Sequence, residues 1–151
     1  MGRDADPTPS HLDPEHVDLA RVDLTDLARE QPAGATPATT VVDRYLEGVV
    51  AHDWEAVAEC LSDDVVRIGP FGDTYTPKRP YLAFLSNLMP TLRGYSMRVD
   101  RVVDAGGVVL AELTEILELD GTPVVTPEAL VFEFDRAGKI ARIVIYIQRL
   151  S

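Results

Sequence analysis

Two glutamates in the second half of the chain have the type and spacing needed for acid–base chemistry. Glu115 and Glu128 lie in the segments 108–119 and 124–134, whose alternating apolar residues are typical of β-strands. By this period of two, the glutamates share a strand face with four apolar side chains: Leu113, Leu117, Leu130 and Phe132. A carboxylate on such a face must find a cation or take up a proton, because burying an unpaired charge is costly.

The turn between the two strands predicts how close the acids come. Asp120-Gly121 is a strong signal for a two-residue hairpin turn. The register set by this turn places Glu115 opposite Thr126. It places Glu128 opposite Leu113, so the two acids become diagonal neighbours on adjacent strands. Their repulsion would push their pKa values apart, as in an acid/base pair that serves cyclisation, isomerisation or epoxide opening.

Two structural alternatives remain open for the acids. Glu115 could form an ion pair with Arg67 or Arg98 that serves stability alone. A single bulge would also reverse the faces and put both carboxylates in solvent. Either arrangement would leave the chain without the acid/base pair.

Tyr45 and Arg67 are the next candidates. Tyr45 lies on the apolar stripe of a predicted helix, where its hydroxyl needs a partner if buried, either as a ligand donor or within the core. Arg67 lies in the short β-branched segment 65–68. It could orient a substrate carboxylate or carbonyl, neutralise Glu128, or be an exposed strand arginine.

Three further aromatic residues are candidates for substrate contact. Tyr75 and Tyr81 flank a loop rich in Pro and Thr that could form a cavity mouth, although ordinary packing also explains them. Trp54 could stack on a ligand, whereas its helical spacing also suits the core.

The elements that must position these residues form three helices, one early strand and four later strands. The first helix is predicted to start at Thr40 with Asp43 in a capping-box-like pair, and Asp53 caps the second. Pro80 opens the third helix. Strands are predicted at 65–68, 95–103, 108–119, 124–134 and 140–147, with 62–64 as a turn. This order predicts an α+β fold with helices on one face of a curved antiparallel sheet.

Composition excludes several function classes. The 151 residues carry a formal charge of −11, which argues against nucleic acid and anionic membranes. The single Cys60 excludes an internal disulfide, and no signal peptide or membrane span is apparent, so a cytoplasmic protein is expected. No Cys/His cluster has metal-ligand spacing and no cofactor motif occurs, so no cofactor is expected.

The chain divides by composition into an arm, residues 1–38, and a domain, residues 39–151. The arm holds eight acidic and three basic residues, a possible short helix from Asp13 to about Arg29, and a linker rich in Pro and Gly. It could be a solvated segment, cover a pocket or reach a partner subunit.

Residues 40–148 resemble the NTF2-like superfamily, which includes ketosteroid isomerase, limonene epoxide hydrolase and SnoaL-type polyketide cyclases. The resemblance rests on RYLEGVVAHDWEAVAECLSDDVVRIGPFG near the start and on FEFDRAGKI near the end. It implies a cone-shaped domain in which helices close a curved sheet around an apolar cavity, and it implies a homodimer.

The same resemblance argues against the ketosteroid isomerase mechanism. That enzyme uses a tyrosine on its first helix, an aspartate base just before Pro-Phe-Gly and a protonated aspartate on a later strand. The tyrosine matches Tyr45. The base position matches Gly69 and the protonated acid matches Leu130, and neither side chain can transfer a proton.

The sequence therefore predicts a cofactor-independent, SnoaL-like enzyme that cyclises or isomerises an apolar oxygenated molecule, with epoxide opening as a second possibility. Glu128 and Glu115 are the predicted acid and base, in either order, with Tyr45 as a hydrogen-bond donor. The predicted substrate contacts are Arg67, Tyr75, Tyr81, Trp54, Leu130 and Phe132. The rival prediction is a ligand-binding or dimerisation module without catalysis.

Overall fold

The computed structural model describes residues 35–148, and the helix predicted in the N-terminal arm lies outside the described residues. Three α-helices, one 3-10 turn and six strands follow one another. The helices are α1 (Pro37–Ala51), α2 (Trp54–Cys60) and α3 (Lys78–Leu88), and the 3-10 turn is Met89–Thr91. The strands are β1 (Leu61–Ile68), β2 (Thr74–Tyr75), β3 (Ser96–Asp104), β4 (Val108–Leu119), β5 (Thr122–Phe134) and β6 (Ile140–Ile147).

Helix α1 starts earlier than the sequence predicted. Thr36 caps the helix: its Oγ1 accepts from the backbone N–H of Thr39 at 3.1 Å, and Thr39 Oγ1 accepts from the N–H of Thr36 at 3.0 Å. This reciprocal capping box, with Pro37 at a first-turn position, outcompetes the predicted start at Thr40 with Asp43. None of the helices within residues 35–148 has the length and apolar character needed to cross a membrane.

The end of α2 was also predicted wrongly. Residues 62–64 were predicted to be a turn, but β1 begins at Leu61 directly after the helix. Leu61 is buried and pairs with Ile140 of β6, and a bulge separates that pair from the next at Val66. Pairing with a distant strand thus overrides the local helical spacing that had included Leu61.

The sheet has the order β2-β1-β6-β5-β4-β3. Strands β1 and β6 are parallel and the other neighbours are antiparallel, so the sheet is mixed, and the prediction of a purely antiparallel sheet is corrected. The two-residue β2 had not been predicted. The architecture, three helices against a curved six-stranded sheet, confirms the predicted α+β, cone-shaped NTF2-like fold.

The β4–β5 hairpin has the predicted register. Asp120 and Gly121 adopt φ angles of 53° and 77°, the positive values of a type I′ turn. Strand β5 tolerates two prolines because its first part, before Glu128, extends past the end of β6 and has an unpaired edge. No bulge interrupts the twelve residue pairs from Val108 to Leu119, so the strand faces stay as the sequence predicted.

The core lies between the helices and the inner sheet face. Phe132 of β5 is fully buried, and its ring meets Tyr45 edge-on with 5.7 Å between ring centroids. Cys60 is buried too. Burial of the Cys60 thiol raises its pKa.

Truncating Phe132 should test this packing. Phe132→Ala is expected to lower the free energy of unfolding by about 3–5 kcal/mol, because it leaves a cavity in the centre of the domain. Urea unfolding followed by circular dichroism measures the change. The matched control is Phe71→Ala, since Phe71 is 70% exposed and its loss should matter far less. Equal destabilisation by the two changes would contradict the prediction.

Candidate active site

A cavity of about 170 Å³ lies between the helices and the inner face of the sheet. Most of its wall is apolar, formed by Leu46, Val49, Pro70, Phe84, Leu85, Leu88, Met89, Leu92, Met97, Leu113, Leu130 and Ile145. Five polar or charged side chains complete it: Tyr45, Arg67, Tyr81, Glu115 and Glu128. An apolar pocket with a few convergent polar groups is the usual form of a small-molecule site.

The two glutamates meet on the sheet side of this cavity. Glu115 pairs with Thr126 and Glu128 with Leu113, as the sequence predicted. A hydrogen bond joins the two carboxyl groups, and the hydroxyl of Tyr95 donates to Oε2 of Glu115. Two carboxyl groups can share a hydrogen bond only when one of them is protonated.

Glu128 is the carboxyl group that holds this proton. Burial disfavours its charged form, and its hydrogen bond and charge repulsion with Glu115 act in the same direction. Together they raise the pKa of Glu128 from 4.5 to about 9, although Arg67 partly opposes the shift. At neutral pH Glu128 is therefore a neutral acid, hydrogen-bonded to Glu115.

The two ion pairs proposed as alternatives for Glu115 do not form. Arg98 pairs with Asp100 at 2.7 Å on the opposite side of the sheet, and Arg67 pairs with Asp73. Tyr95 takes the place of a cation as the partner of Glu115. Burial of Tyr95, together with the charge of Glu115, raises the pKa of its phenol, so the hydroxyl stays a donor.

Two tyrosines form the helical side of the site. The hydroxyl groups of Tyr45 on α1 and Tyr81 on α3 are hydrogen-bonded to each other, and both side chains are buried. Burial raises the pKa of both phenols, so they remain neutral and can offer a hydrogen to a ligand. Tyr81 also accepts a hydrogen bond from Arg67.

Arg67 is held from two sides. Its Nη1 donates to Asp73 Oδ2 at 2.7 Å. Its guanidinium carbon lies 5.8 Å from the ring centroid of Tyr75 and 5.1 Å from that of Phe84, which stack on each other. Cation–π contacts of this kind fix the guanidinium group. Burial raises the pKa of Asp73, but the hydrogen bond from Arg67 outweighs this and holds the pKa below its usual value.

Gly69 leaves the room that this ion pair fills. A Cβ at position 69 would lie 2.4 Å from Asp73 Oδ1 and 2.6 Å from Arg67 Nη1, too close for any side chain without movement. The position that resembles the base of ketosteroid isomerase is thus blocked by the Arg67–Asp73 pair.

Three of the predicted contact residues lie outside the cavity wall. Trp54 stacks on His52 at 5.6 Å between ring centroids, away from the site. Phe132 is buried behind Tyr45 and supports it. Tyr75 reaches the site only through Arg67 and Phe84. The remaining predicted residues, Tyr45, Arg67, Tyr81, Glu115, Glu128 and Leu130, come together around the cavity.

Tyr95 and Asp73 were missed by the sequence analysis. Tyr95 immediately precedes β3, whose residue Met97 pairs with Glu115, and this register could have indicated the contact. Asp73 follows the turn 69–72 and is brought back beside Gly69 by the backbone bond from Gly69 N–H to Asp73 O at 2.8 Å. The available clue in the sequence was an acidic residue directly after the turn 69–72.

A wider groove of about 450 Å³, open to solvent, lies at the middle of β4 and β5 and at the end of β6. Glu128 lines this groove as well as the inner cavity. The other two acidic residues of the groove form ion pairs, Asp100 with Arg98 and Glu112 with Arg101, each at 2.7 Å. The inner cavity, which brings both glutamates together with Arg67, Tyr45 and Tyr81, is the better candidate site. Within residues 35–148, no group of three or more His, Cys, Asp or Glu residues is placed to hold a metal ion.

Comparison with known proteins agrees with the fold. The model of the SnoaL-like domain family matches residues 42–143, about two thirds of the chain. The chain therefore belongs to the SnoaL-like domain family, within the NTF2-like superfamily. A search of the curated proteins found no match.

Solved structures extend this comparison. A candidate SnoaL-like polyketide cyclase from Shewanella putrefaciens CN-32 is similar with a TM-score of 0.67 and 15% identity, over 76% of this chain and 91% of that chain. An LEH-like epoxide hydrolase from M. tuberculosis is similar with a TM-score of 0.65 and 25% identity, over 74% and 83%. A protein of ketosteroid isomerase-like fold from Catenulispora acidiphila DSM 44928, in complex with trimethylamine, has a TM-score of 0.62 and 16% identity, over 70% and 83%. The likenesses at 15% and 16% identity show the fold alone.

The raised pKa of Glu128 predicts a pH-dependent contribution to stability. The folded protein keeps a proton that the unfolded chain releases above pH 4.5, so the contribution is fully present at lower pH and is lost as the pH rises towards 9. Glu128→Gln should remove it, so the variant should gain stability relative to the native protein between pH 5 and 9.

Denaturant unfolding at several pH values measures this difference. The control is Glu133→Gln, on the outer face of the same strand, where the carboxylate is paired with Arg142 at 2.8 Å. A stability difference between Glu128→Gln and the native protein that stays constant with pH would contradict the prediction.

Proposed function

We propose that this protein is a small-molecule enzyme of SnoaL-like type that performs cofactor-independent proton transfer on an apolar, oxygenated molecule. Cyclisation or isomerisation is the leading reaction class. The observation that carries the proposal is that Glu115 and Glu128, diagonal neighbours on β4 and β5, both line one apolar cavity. An acid and a base side by side, with different pKa values, are what a concerted proton transfer requires.

In this proposal the residues have distinct roles. Glu128 gives its proton to a substrate oxygen, while the Glu115 carboxylate takes a proton from a carbon or from a bound water. Tyr95 orients Glu115 through its hydrogen bond. Tyr45 or Tyr81, whichever does not donate to the other, donates to a second substrate oxygen. The apolar wall excludes bulk water, which strengthens these interactions.

Epoxide opening is a second reaction that the same groups can perform. Protonation of the ring oxygen by Glu128 and activation of a water by Glu115 would balance that reaction. The similarity to the LEH-like epoxide hydrolase, at 25% identity, supports epoxide opening as the second candidate reaction.

A non-catalytic binding module is the rival from a different class. The absence of a proton-transfer group at Gly69 and Leu130 favours it, since these positions carry the chemistry in ketosteroid isomerase. The presence of both glutamates in the cavity wall, rather than in solvent, supports the enzyme.

The test follows proton exchange and ring opening on small probes. We expect the native protein to catalyse deuterium incorporation next to the carbonyl of small cyclic ketones in D₂O, or hydrolysis of small cyclic epoxides. Glu128→Gln and Glu115→Gln should each lower the rate at least about 10²-fold, because each removes one partner of the transfer.

Glu133→Gln is the matched control and should leave the rate unchanged, because its carboxylate faces away from the cavity. Nuclear magnetic resonance measures both reactions. Unchanged rates in the Glu128→Gln and Glu115→Gln variants would refute the assignment. If the native protein bound the probes without converting them, the non-catalytic binding module would be favoured.

We propose in addition that the chain forms a homodimer through the outer face of the sheet. Leu110, Val125 and Tyr146 lie on that face and are 39%, 54% and 59% exposed. Large apolar side chains exposed on an outer sheet face are found at interfaces between subunits.

Light scattering at micromolar concentration should give the mass of a dimer, and Tyr146→Asp should shift it to a monomer. Phe71→Asp is the control, because Phe71 is equally apolar and exposed but lies in the 69–72 turn. A native protein that is monomeric under these conditions would contradict the homodimer.

A further inference from the structure

The cavity wall contains both a positively charged side chain and acidic side chains. Among residues 35–148, the charged side chains in the cavity wall are Arg67, Glu115 and Glu128. Arg67 is the one cation among them. Whether the site prefers an anionic or a neutral ligand therefore depends on what Arg67 already binds.

Asp73 neutralises Arg67 from behind the wall. Asp73 Oδ2 accepts from Arg67 Nη1 at 2.7 Å, and the Arg67 side chain is only 11% exposed. Asp73 itself is 40% exposed, and both partners lie so close to Gly69 that a Cβ there would collide with them. A buried guanidinium with a carboxylate partner has little charge left for a second anion.

The glutamate pair, on β4 and β5 of the same sheet, keeps a negative charge. The hydrogen bond between Glu115 and Glu128 requires one proton, so the two carboxyl groups together carry one negative charge. With Arg67 neutralised, a carboxylate ligand would enter an apolar cavity that is already negative. Burying an anion without a free cation is strongly unfavourable.

A neutral oxygen can still be bound. Arg67 Nε is buried and has no hydrogen-bond partner, so it is a donor without an acceptor. A buried donor of this kind gains most from an acceptor that costs little to desolvate, such as a ketone or ether oxygen. Tyr45 and Tyr81 supply further hydroxyl groups in the same wall.

The volume limits the size of the ligand. A cavity of about 150 Å³ binds benzene, and drug-sized ligands need about 300–1,000 Å³. The cavity volume of about 170 Å³ therefore suits a molecule of about six to ten non-hydrogen atoms.

We infer that Asp73 is a specificity-determining residue that, by neutralising Arg67, restricts the cavity to small uncharged molecules with an oxygen acceptor and excludes carboxylates of the same size. This inference deepens the proposed function and rests on it for the identity of the site. It concerns which ligand enters, whereas the proposed function concerns what happens to that ligand.

A pair of probes that differ in charge alone tests the inference. Cyclohexyl methyl ketone and cyclohexanecarboxylate have the same shape, because a methyl group replaces one carboxylate oxygen. Titration of the native protein at pH 7, followed by nuclear magnetic resonance, should show at least about tenfold tighter binding of the ketone, a difference of about 1.4 kcal/mol.

Asp73→Asn should change the order of affinities. The amide keeps the shape of the carboxylate but removes its charge, so Arg67 becomes free to bind an anion. The carboxylate probe should then gain at least about tenfold in affinity, while the ketone changes by less than about threefold. Asp73→Ser is a second variant with the same expected result, and circular dichroism confirms that each variant is folded.

Asp100→Asn is the matched control, since Asp100 pairs with Arg98 at 2.7 Å outside the cavity. It should leave both affinities unchanged. Tighter binding of the carboxylate by the native protein, no gain in the folded Asp73 variants, or no binding of either probe at millimolar concentration would each overturn the inference.

The outcome of this binding experiment is independent of the outcome of the catalytic test. Charge selectivity with unchanged rates in Glu128→Gln would retain the inference and reject the enzyme. Loss of turnover in Glu128→Gln without charge selectivity would retain the enzyme and reject the inference.

Discussion

The uninterrupted pairing of β4 with β5 is the constraint on which the site depends. Side chains alternate between the two faces of a strand, so a slip of one residue would move Glu115 and Glu128 from the cavity to the outer face. The type I′ turn at Asp120-Gly121 fixes the register at one end, and no bulge intervenes before the acids. The diagonal proximity of the two carboxyl groups, and the proton that they share, follow from this geometry.

The carboxyl pair Glu115–Glu128 determines which partners the other polar groups of the cavity need. A negative charge in an apolar cavity must be met by donors, and Tyr95 provides one directly. The arginine of the site is kept apart by its own carboxylate, Asp73, and by two stacked aromatic rings. Arg67 and the two glutamates line the same apolar cavity, where a ligand would experience both charged clusters.

The sequence predicted the parts of the site that depend on local patterns. The faces of β4 and β5 follow from alternation and turn chemistry, which is why the positions of Glu115 and Glu128 were predicted. The parallel pairing of β1 with β6 was not predicted, because it joins residues about eighty positions apart and overrides the helical spacing near Leu61. Asp73 was missed because its role depends on a tight turn that returns it to Gly69, a contact that spacing alone does not reveal. Trp54 was assigned to the site on residue type, and its stacking with His52 instead reflects the geometry of the loop between α1 and α2.

The bond between Tyr45 and Tyr81 has a further consequence, since either hydroxyl can be the donor. Each hydroxyl has one hydrogen, so in either arrangement one tyrosine spends its hydrogen on its neighbour and the other keeps a hydrogen free. Reversing the direction of the bond moves that free hydrogen from α1 to α3 without moving any heavy atom. The cavity can thereby offer a hydrogen at either of two points to oxygens placed differently in the ligand. A rigid wall would in this way tolerate more than one ligand orientation.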